Sequence, residues 1–261
     1  MRKLITVAVV LLASVVYGQT KTFNYKLQGV KTVKIDTDTR VKINAGKSGE
    51  LIITEKNYQY ASDENMKSLE EKTKGLKAIY AGGDDNTDGM GFSIEKKGDI
   101  LNIVDLRSHI KRSGFSMSLP KDVNIIFTTP NLGAVEVTGF TSEVEAATNV
   151  GEIIMKDVTG PITVNANTAL VNIIFSKVNQ GSPITISSNT GEIDVTIPAS
   201  TKANLDLRTR GTFYTNFDIE VPKKDGLRAV RGNQKISSKL NNGGVQIKLK
   251  SSMGNIYLRK K

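Results

Sequence analysis

NLGAV (131–135), NVGEI (149–153), NTALV (167–171) and NTGEI (189–193) share one register, with steps of 18, 18 and 22 residues. A period near twenty residues marks a solenoid, in which repeats stack because one repeat cannot bury its apolar face alone. The motif returns as NNGGV (241–245) and SMGNI (252–256). After each small central residue the apolar side chains alternate: Val135 and Val137; Ile153 and Met155; Val171, Ile173 and Phe175; Ile193, Val195 and Ile197. A second alternating set lies seven and five residues before it: Val144 and Ala146, Ile162 and Val164, Ile184 and Ile186, Ile247 and Leu249. Alternation is the pattern of a strand with one buried face. Each repeat therefore reads as strand, tight corner, strand, with Gly or Asn at the corner because they tolerate positive φ best. Leu205 and Leu207 fall one residue out of phase with Gly211, which reads as a missing corner residue or the start of an irregular insertion before 236. Asn149, Asn167 and Asn189 are expected to bond amide to amide from repeat to repeat, as corner amides need partners.

Upstream, Val33/Ile35, Val41/Ile43 and Leu51/Ile53 make three short alternating strands. The segment 61–80 carries helical spacing that Gly75 would end. A Gly/Asp-rich loop (81–91), strands at 92–95 and 100–104, a basic hairpin-like stretch (106–120) and a strand at 123–130 follow, with Pro120 and Pro130 marking the approach to the repeats. Residues 1–18 read as a secretory signal: Arg2 and Lys3, an apolar run at 4–16, and a small residue at Gly18. That run is shorter than the roughly 20 residues a spanning helix needs, so no transmembrane segment is expected. The division expected is 1–18 signal, 19–128 an N-terminal β-rich region with one helix, and 129–261 the solenoid, all-β throughout.

The chain of 261 residues has no Cys, hence no disulfide framework. Residues 201–261 hold 14 Lys/Arg against 4 Asp/Glu, whereas 19–200 hold 20 against 22. Such asymmetry suggests an anionic neighbour for the last repeats, with Lys248, Lys250, Arg259, Lys260 and Lys261 as its contacts, although edge lysines also block strand pairing. Nucleic acid is not expected, because apart from Tyr257 that end lacks interleaved aromatics.

Taken whole, the chain resembles the bacterial β-strand-repeat "putative adhesin" family. The resemblance is carried by the opening KTFNYK, by EEKTKGLKAIYAGGDDNTDGMGFSIEKKGDIL, by FSMSLPKDVNI, by NTGEIDV and by the closing KLKSSMGNIYLRK. It implies a right-handed parallel β-helix-like fold and residence in the periplasm, on the surface or outside the cell. It brings no catalytic residues to transfer.

Two motifs invite chemistry. DDNTDGMGFSIE (84–95) places Asp84, Asn86, Asp88 and Glu95 at the spacing of a calcium loop, although Phe92 and Ile94 alternate like a strand and a solvated turn explains the same residues. His109 is the sole histidine, and one ligand cannot build a zinc site. Glu136, Glu152, Glu192 and Asp194 point outward from the repeat strands, and a glycan hydrolase needs two such acids across a cleft. No cofactor is expected beyond weak calcium. The reading is a non-enzymatic, exported, adhesin-like module binding envelope or host glycan or a surface protein. A glycan-active lyase or hydrolase using Glu152 or Glu192 with Asp194, and a purely structural envelope protein, stand as alternatives.

Overall fold

The computed structural model describes residues 21–47, 49–55, 71–107, 114–221 and 234–261. The proposed signal at 1–18, His109 and most of the expected helix lie outside them. What is described of that helix is residues 71–73, followed by a turn in which Gly75 takes φ 76°.

In chain order the strands are β1 (Thr22–Lys26), β2 (Thr32–Asp36), β3 (Arg40–Gly46), β4 (Glu50–Glu55), β5 (Phe92–Lys97) and β6 (Ile100–Asp105). Next come β7 (Phe115–Pro120), β8 (Asn124–Leu132), β9 (Ala134–Thr138), β10 (Val144–Val158), β11 (Ile162–Phe175) and β12 (Ile184–Ser188). The last are β13 (Ile193–Ile197), β14 (Ala203–Thr209), β15 (Phe213–Thr215), β16 (Gln234–Leu240), β17 (Val245–Ser251) and β18 (Ile256–Lys260). All 18 join one mostly parallel sheet, which is open.

The sheet resolves into two ladders. The front ladder stacks β6, β2, β8, the first half of β10, the first half of β11, β12, β17 and β14, all parallel. The back ladder stacks β7, β3, β9, the second halves of β10 and β11, β13, β18 and β15, again parallel. One front strand and the back strand that follows it form a rung. Alternate side chains of both ladders, such as Ile162 and Val164 in front and Val171 and Ile173 behind, point into a single core cluster. Full burial of each such side chain contributes roughly 1.5–3 kcal/mol.

Rung order is not chain order. The β2–β3 rung lies between β6–β7 and β8–β9, and the β17–β18 rung lies between β12–β13 and β14–β15. At each end an antiparallel strand then covers the stack. β4 pairs with β7, so β3 and β4, consecutive in sequence, flank it; β16 pairs with β14, so β16 and β17 flank that strand too. Of the basic hairpin-like stretch 106–120, residues 108–113 lie outside the described residues, and its last six supply β7, which pairs with β3 and β4. Pro120 and Pro130 sit within β7 and β8.

Crossing a flanked strand demands small residues. Gly244 passes so close to β14 that a Cβ would come 2.4 Å from the Lys202 carbonyl. NNGGV is therefore this crossing and not a corner; SMGNI alone supplies the corner of the β17–β18 rung. Gly133, Gly151, Ala169, Gly191, Gly254 and Gly211 line the corner column, and of the two readings of the Leu205/Leu207 phase the register shows the missing corner residue. Between the pairs Arg208↔Lys250 and Phe213↔Ile256 one strand pair spans five positions where its neighbour spans six.

Hydroxyls brace the inside of the corners. Ser251 Oγ donates to the Gly191 carbonyl at 3.0 Å and accepts from Gly254 N–H at 2.9 Å; Thr209 Oγ1 donates to the Gly254 carbonyl at 2.6 Å. These buried side chains are satisfied, as burial requires. A Ser or Thr two or three residues before the small corner residue is the sequence signal for them. The expected asparagine ladder also forms. Asn167 donates to Asn149 at 2.8 Å and Asn189 donates to Asn167 at 3.1 Å, but on the exposed face of the corner.

The β6–β7 end carries a charged plug. Asp105, its side chain fully buried, accepts from Thr37 at 2.8 Å and from Arg107 Nε at 2.9 Å. The Arg107 guanidinium lies 4.7 Å and 5.4 Å from the ring centroids of Phe92 and Phe115, which meet edge to face. A cation over aromatic faces covers apolar surface while keeping its own charge paired.

Candidate functional site

The outward acids are each engaged. Glu136 on β9 is clasped by Lys42 at 2.9 Å and Lys156 at 2.8 Å from the rungs on either side, and hydrogen bonds from Lys156 and Lys42 lower its carboxyl to about 2. Glu152 pairs with Arg40 at 3.3 Å. Asp194 accepts a two-pronged bond from Arg259, at 2.8 Å to both Nε and Nη2, which raises the guanidinium above its ordinary value. Glu192 accepts from Asn255 Nδ2 at 3.1 Å and from the Tyr257 hydroxyl at 3.2 Å. Tyr257 stacks on Tyr214 with centroids 5.1 Å apart, so aromatic rings do flank Glu192, where the sequence suggested none. Leu170 occupies the position between Glu152 and Glu192, and is 45% exposed. A hydrolytic pair needs one acid to hold a proton while the other is ionised; two lysines hold Glu136 in its charged form, and Glu152 and Asp194 are each ion-paired to an arginine.

The 84–95 loop uses its polar atoms on itself. The Asn86 amide accepts from Ile94 N–H and donates to the Ile94 carbonyl, both at 2.8 Å, as a neighbouring strand would. Burial pushes the Asp85 carboxyl up, but hydrogen bonds from Thr87 and from the Gly91 and Phe92 backbone outweigh it and hold the group below the ordinary value. Glu95 pairs with Lys97 at 2.8 Å, and Asp88 takes φ 53° at the turn. Among the described residues no three Asp, Glu, His or Cys side chains group as metal ligands.

The cationic residues singled out near the C-terminus divide between the two ladders. Arg259, Lys260 and Lys261 belong to the back, where Arg259 is committed to Asp194. Lys248 and Lys250 project from the front. There the crossing over β14 builds a three-by-three face that no local pattern announces. Register sets Lys239, Ser237 and Lys235 of β16 beside Asn204, Asp206 and Arg208 of β14, which lie beside Gln246, Lys248 and Lys250 of β17. Its hollow is a groove of about 450 Å³ lined by Asn204, Asp206, Ser237, Lys239, Gln246 and Lys248. Arg208 grips Asp206 at 2.9 and 2.8 Å, and that hydrogen bonding, with smaller contributions from Lys235 and Lys248, lowers the Asp206 carboxyl. Among the described residues Lys235, Lys239, Lys248 and Lys250 make no ion pair.

Among the described residues no helix is long and apolar enough to cross a membrane. No protein-family model matches the chain, and no curated protein does. Two solved structures are similar to it. One is a "putative cell adhesion protein" from Clostridium sporogenes, at TM-score 0.45 and 13% identity, covering 93% of this chain and 100% of that one. The other is a "putative adhesin" from Bacteroides fragilis, at TM-score 0.36 and 11% identity, covering 94% of this chain and 98% of that one.

Proposed function

We propose that this chain is an exported, adhesin-like β-solenoid of the cell envelope or surface that works by binding and not by catalysis. The two ladders would form the walls of a right-handed β-helix-like stack, with 129–261 as its regular part and 19–128 as its N-terminal region. Residues 1–18 would direct export. The partner is an anionic envelope or host polymer. The observation that carries this reading is the front face of the last rungs, where Lys235, Lys239, Lys248 and Lys250 converge with no carboxylate of the described residues ion-paired to any of them. Asp206, already gripped by Arg208, offsets only part of their mutual repulsion, and an external anion would relieve the rest. The engagement of Glu136, Glu152, Glu192 and Asp194 supports a role without turnover.

Binding of the purified chain to an immobilised acidic polymer tests the reading. Exposed charges are screened within about 8 Å at physiological ionic strength, so retention should fall steeply as salt rises. Salt-insensitive retention, or none at low salt, would refute it. The 84–95 loop has a structural role here, and millimolar calcium should leave the melting midpoint unchanged.

A further inference from the structure

We infer that the groove between β16, β14 and β17 is a binding site for an acidic polysaccharide, in which Lys239 and Lys248 hold sugar carboxylates and Gln246, Asn204 and Ser237 hold hydroxyls. The inference rests on the anionic-partner reading and narrows it to one place and one ligand chemistry.

The face is built for discrete recognition. Side chains along one strand recur every ~6.6 Å and neighbouring strands lie ~4.8 Å apart, so the nine positions cover roughly 13 by 10 Å. Five carry positive charge and one, Asp206, carries negative charge. The charges are not uniform. Lys248 lies beside Asp206 and Lys239 one position along on the opposite strand, beside Asn204; Lys235 and Lys250 flank Arg208, and Asn204 and Gln246 hold the neutral corner. Asn204 Nδ2 donates to the Gly244 carbonyl at 2.7 Å, which fixes the amide and leaves its oxygen as an acceptor at the rim. The Gln246 side chain is exposed and makes no hydrogen bond to the described residues.

This composition selects among anions. A phosphate polymer would meet the Asp206 carboxylate in the floor with like charge, whereas a sugar hydroxyl can donate to it. None of the lining residues is aromatic, so a nucleic-acid base would find nothing to stack on. Its one aliphatic lining residue, Leu205, is buried in the core, so the groove lacks the open anchor pocket that gives a protein interface its affinity. An alternation of carboxylate and hydroxyl groups, as in a uronate chain, matches amides and a carboxylate set among lysines. Strands fix the Cα positions of all nine, so the partners are held in place before binding.

The test is titration calorimetry of the full chain with oligogalacturonate, with poly-glutamate as a probe of charge alone. Lys239→Gln with Lys248→Gln should weaken oligogalacturonate binding about tenfold, as expected for two exposed ion pairs. Gln246→Ala, which leaves the charge unchanged, should weaken it about fivefold, as for one hydrogen bond. Lys260→Gln with Lys261→Gln, on the back ladder, should leave it within about twofold. These positions are exposed, and an unchanged melting curve for each variant would confirm the fold. Equal affinity for poly-glutamate together with a silent Gln246→Ala would overturn the inference while leaving the anionic-partner reading intact. An equal loss from the back-ladder pair would do the same. Failure of both probes to bind would overturn both.

Discussion

Replacing Gly151 by alanine places a methyl group against the next rung. Its Cβ would stand 1.7 Å from the Gly133 carbonyl oxygen, and real Cβ contacts stay above 3.0 Å, so the rungs must part by at least 1.3 Å there. That separation breaks the bond from Gly133 N–H to the Val150 carbonyl, now 3.0 Å. Gly151 also takes φ 145°, a region that a residue with a Cβ occupies only under strain. The strain costs roughly 1–3 kcal/mol and the lost bond about 1 kcal/mol, giving about 3 kcal/mol together. For a chain of this length each kcal/mol lowers the midpoint by about 2–4 °C, so the expected fall is roughly 6–12 °C. Circular dichroism melting measures it. Gly191→Ala separates the two causes, because its Cβ would also come 1.7 Å from a carbonyl, that of Ala169, yet its φ is ordinary. It should lose less. Gly49→Ala, with nothing within 4 Å, should melt within about 2 °C of the parent. A Gly151→Ala midpoint as close to the parent as that would refute the close-packed corner column.

Glu136→Gln should cost about 1 kcal/mol at neutral pH, since its two lysines are partly solvated. The Glu136 carboxyl falls on folding from 4.5 to about 2, so its stabilisation is complete above pH 4.5 and lost as pH falls through about 2. Urea midpoints taken between pH 2 and 5 should lose that part of their slope in the variant, and an unchanged slope would count against the clasp. Asp105→Ala removes the buried carboxylate that Thr37 and Arg107 share, while Arg107 keeps Glu55 at 3.5 Å, and should destabilise by about 3 kcal/mol, read by denaturant unfolding; a change under about 1 kcal/mol would show that the plug is not structural. Asn167→Ala removes one donated and one accepted bond of an exposed ladder and should cost about 1 kcal/mol in the same assay. Ending the chain after Gly244 removes the β17–β18 rung from between its neighbours, so it should abolish cooperative melting; a truncated chain that melts like the parent would disprove the rung order.

The sequence shows which side chains face inward but not which strand lies next. Val33 and Ile35 declare a half-buried strand, yet nothing near them says that their neighbours begin at Ile100 and Asn124, because alternation encodes a face and not a partner. Within 131–197 the repeat supplies the partner as well, and there the register, the corners and the asparagine ladder were all legible. Even the short corner at 209–211 showed, through the phase of Leu205 and Leu207. What stayed hidden depends on chain crossings. Lys239 and Lys248 come together only because 241–244 passes over the start of β14. The two glycines of NNGGV looked like a corner because a crossing needs the same small residues. Arg107 read as part of an exposed basic stretch, since the two rings that shelter it come from positions 92 and 115.

Under tension, the rung order decides how this chain yields. Load arriving from the C-terminal side enters β18, which is paired over five residues with β13 on one side and over three with β15 on the other. Both seams must shear together before the strand is released. Load arriving from the N-terminal side enters β1, which among the described residues is paired with β4 only and can be peeled one pair at a time. Forced release is governed by the unfolding barrier and not by equilibrium stability. The same molecule would therefore be mechanically strong when anchored by one end and weak when anchored by the other.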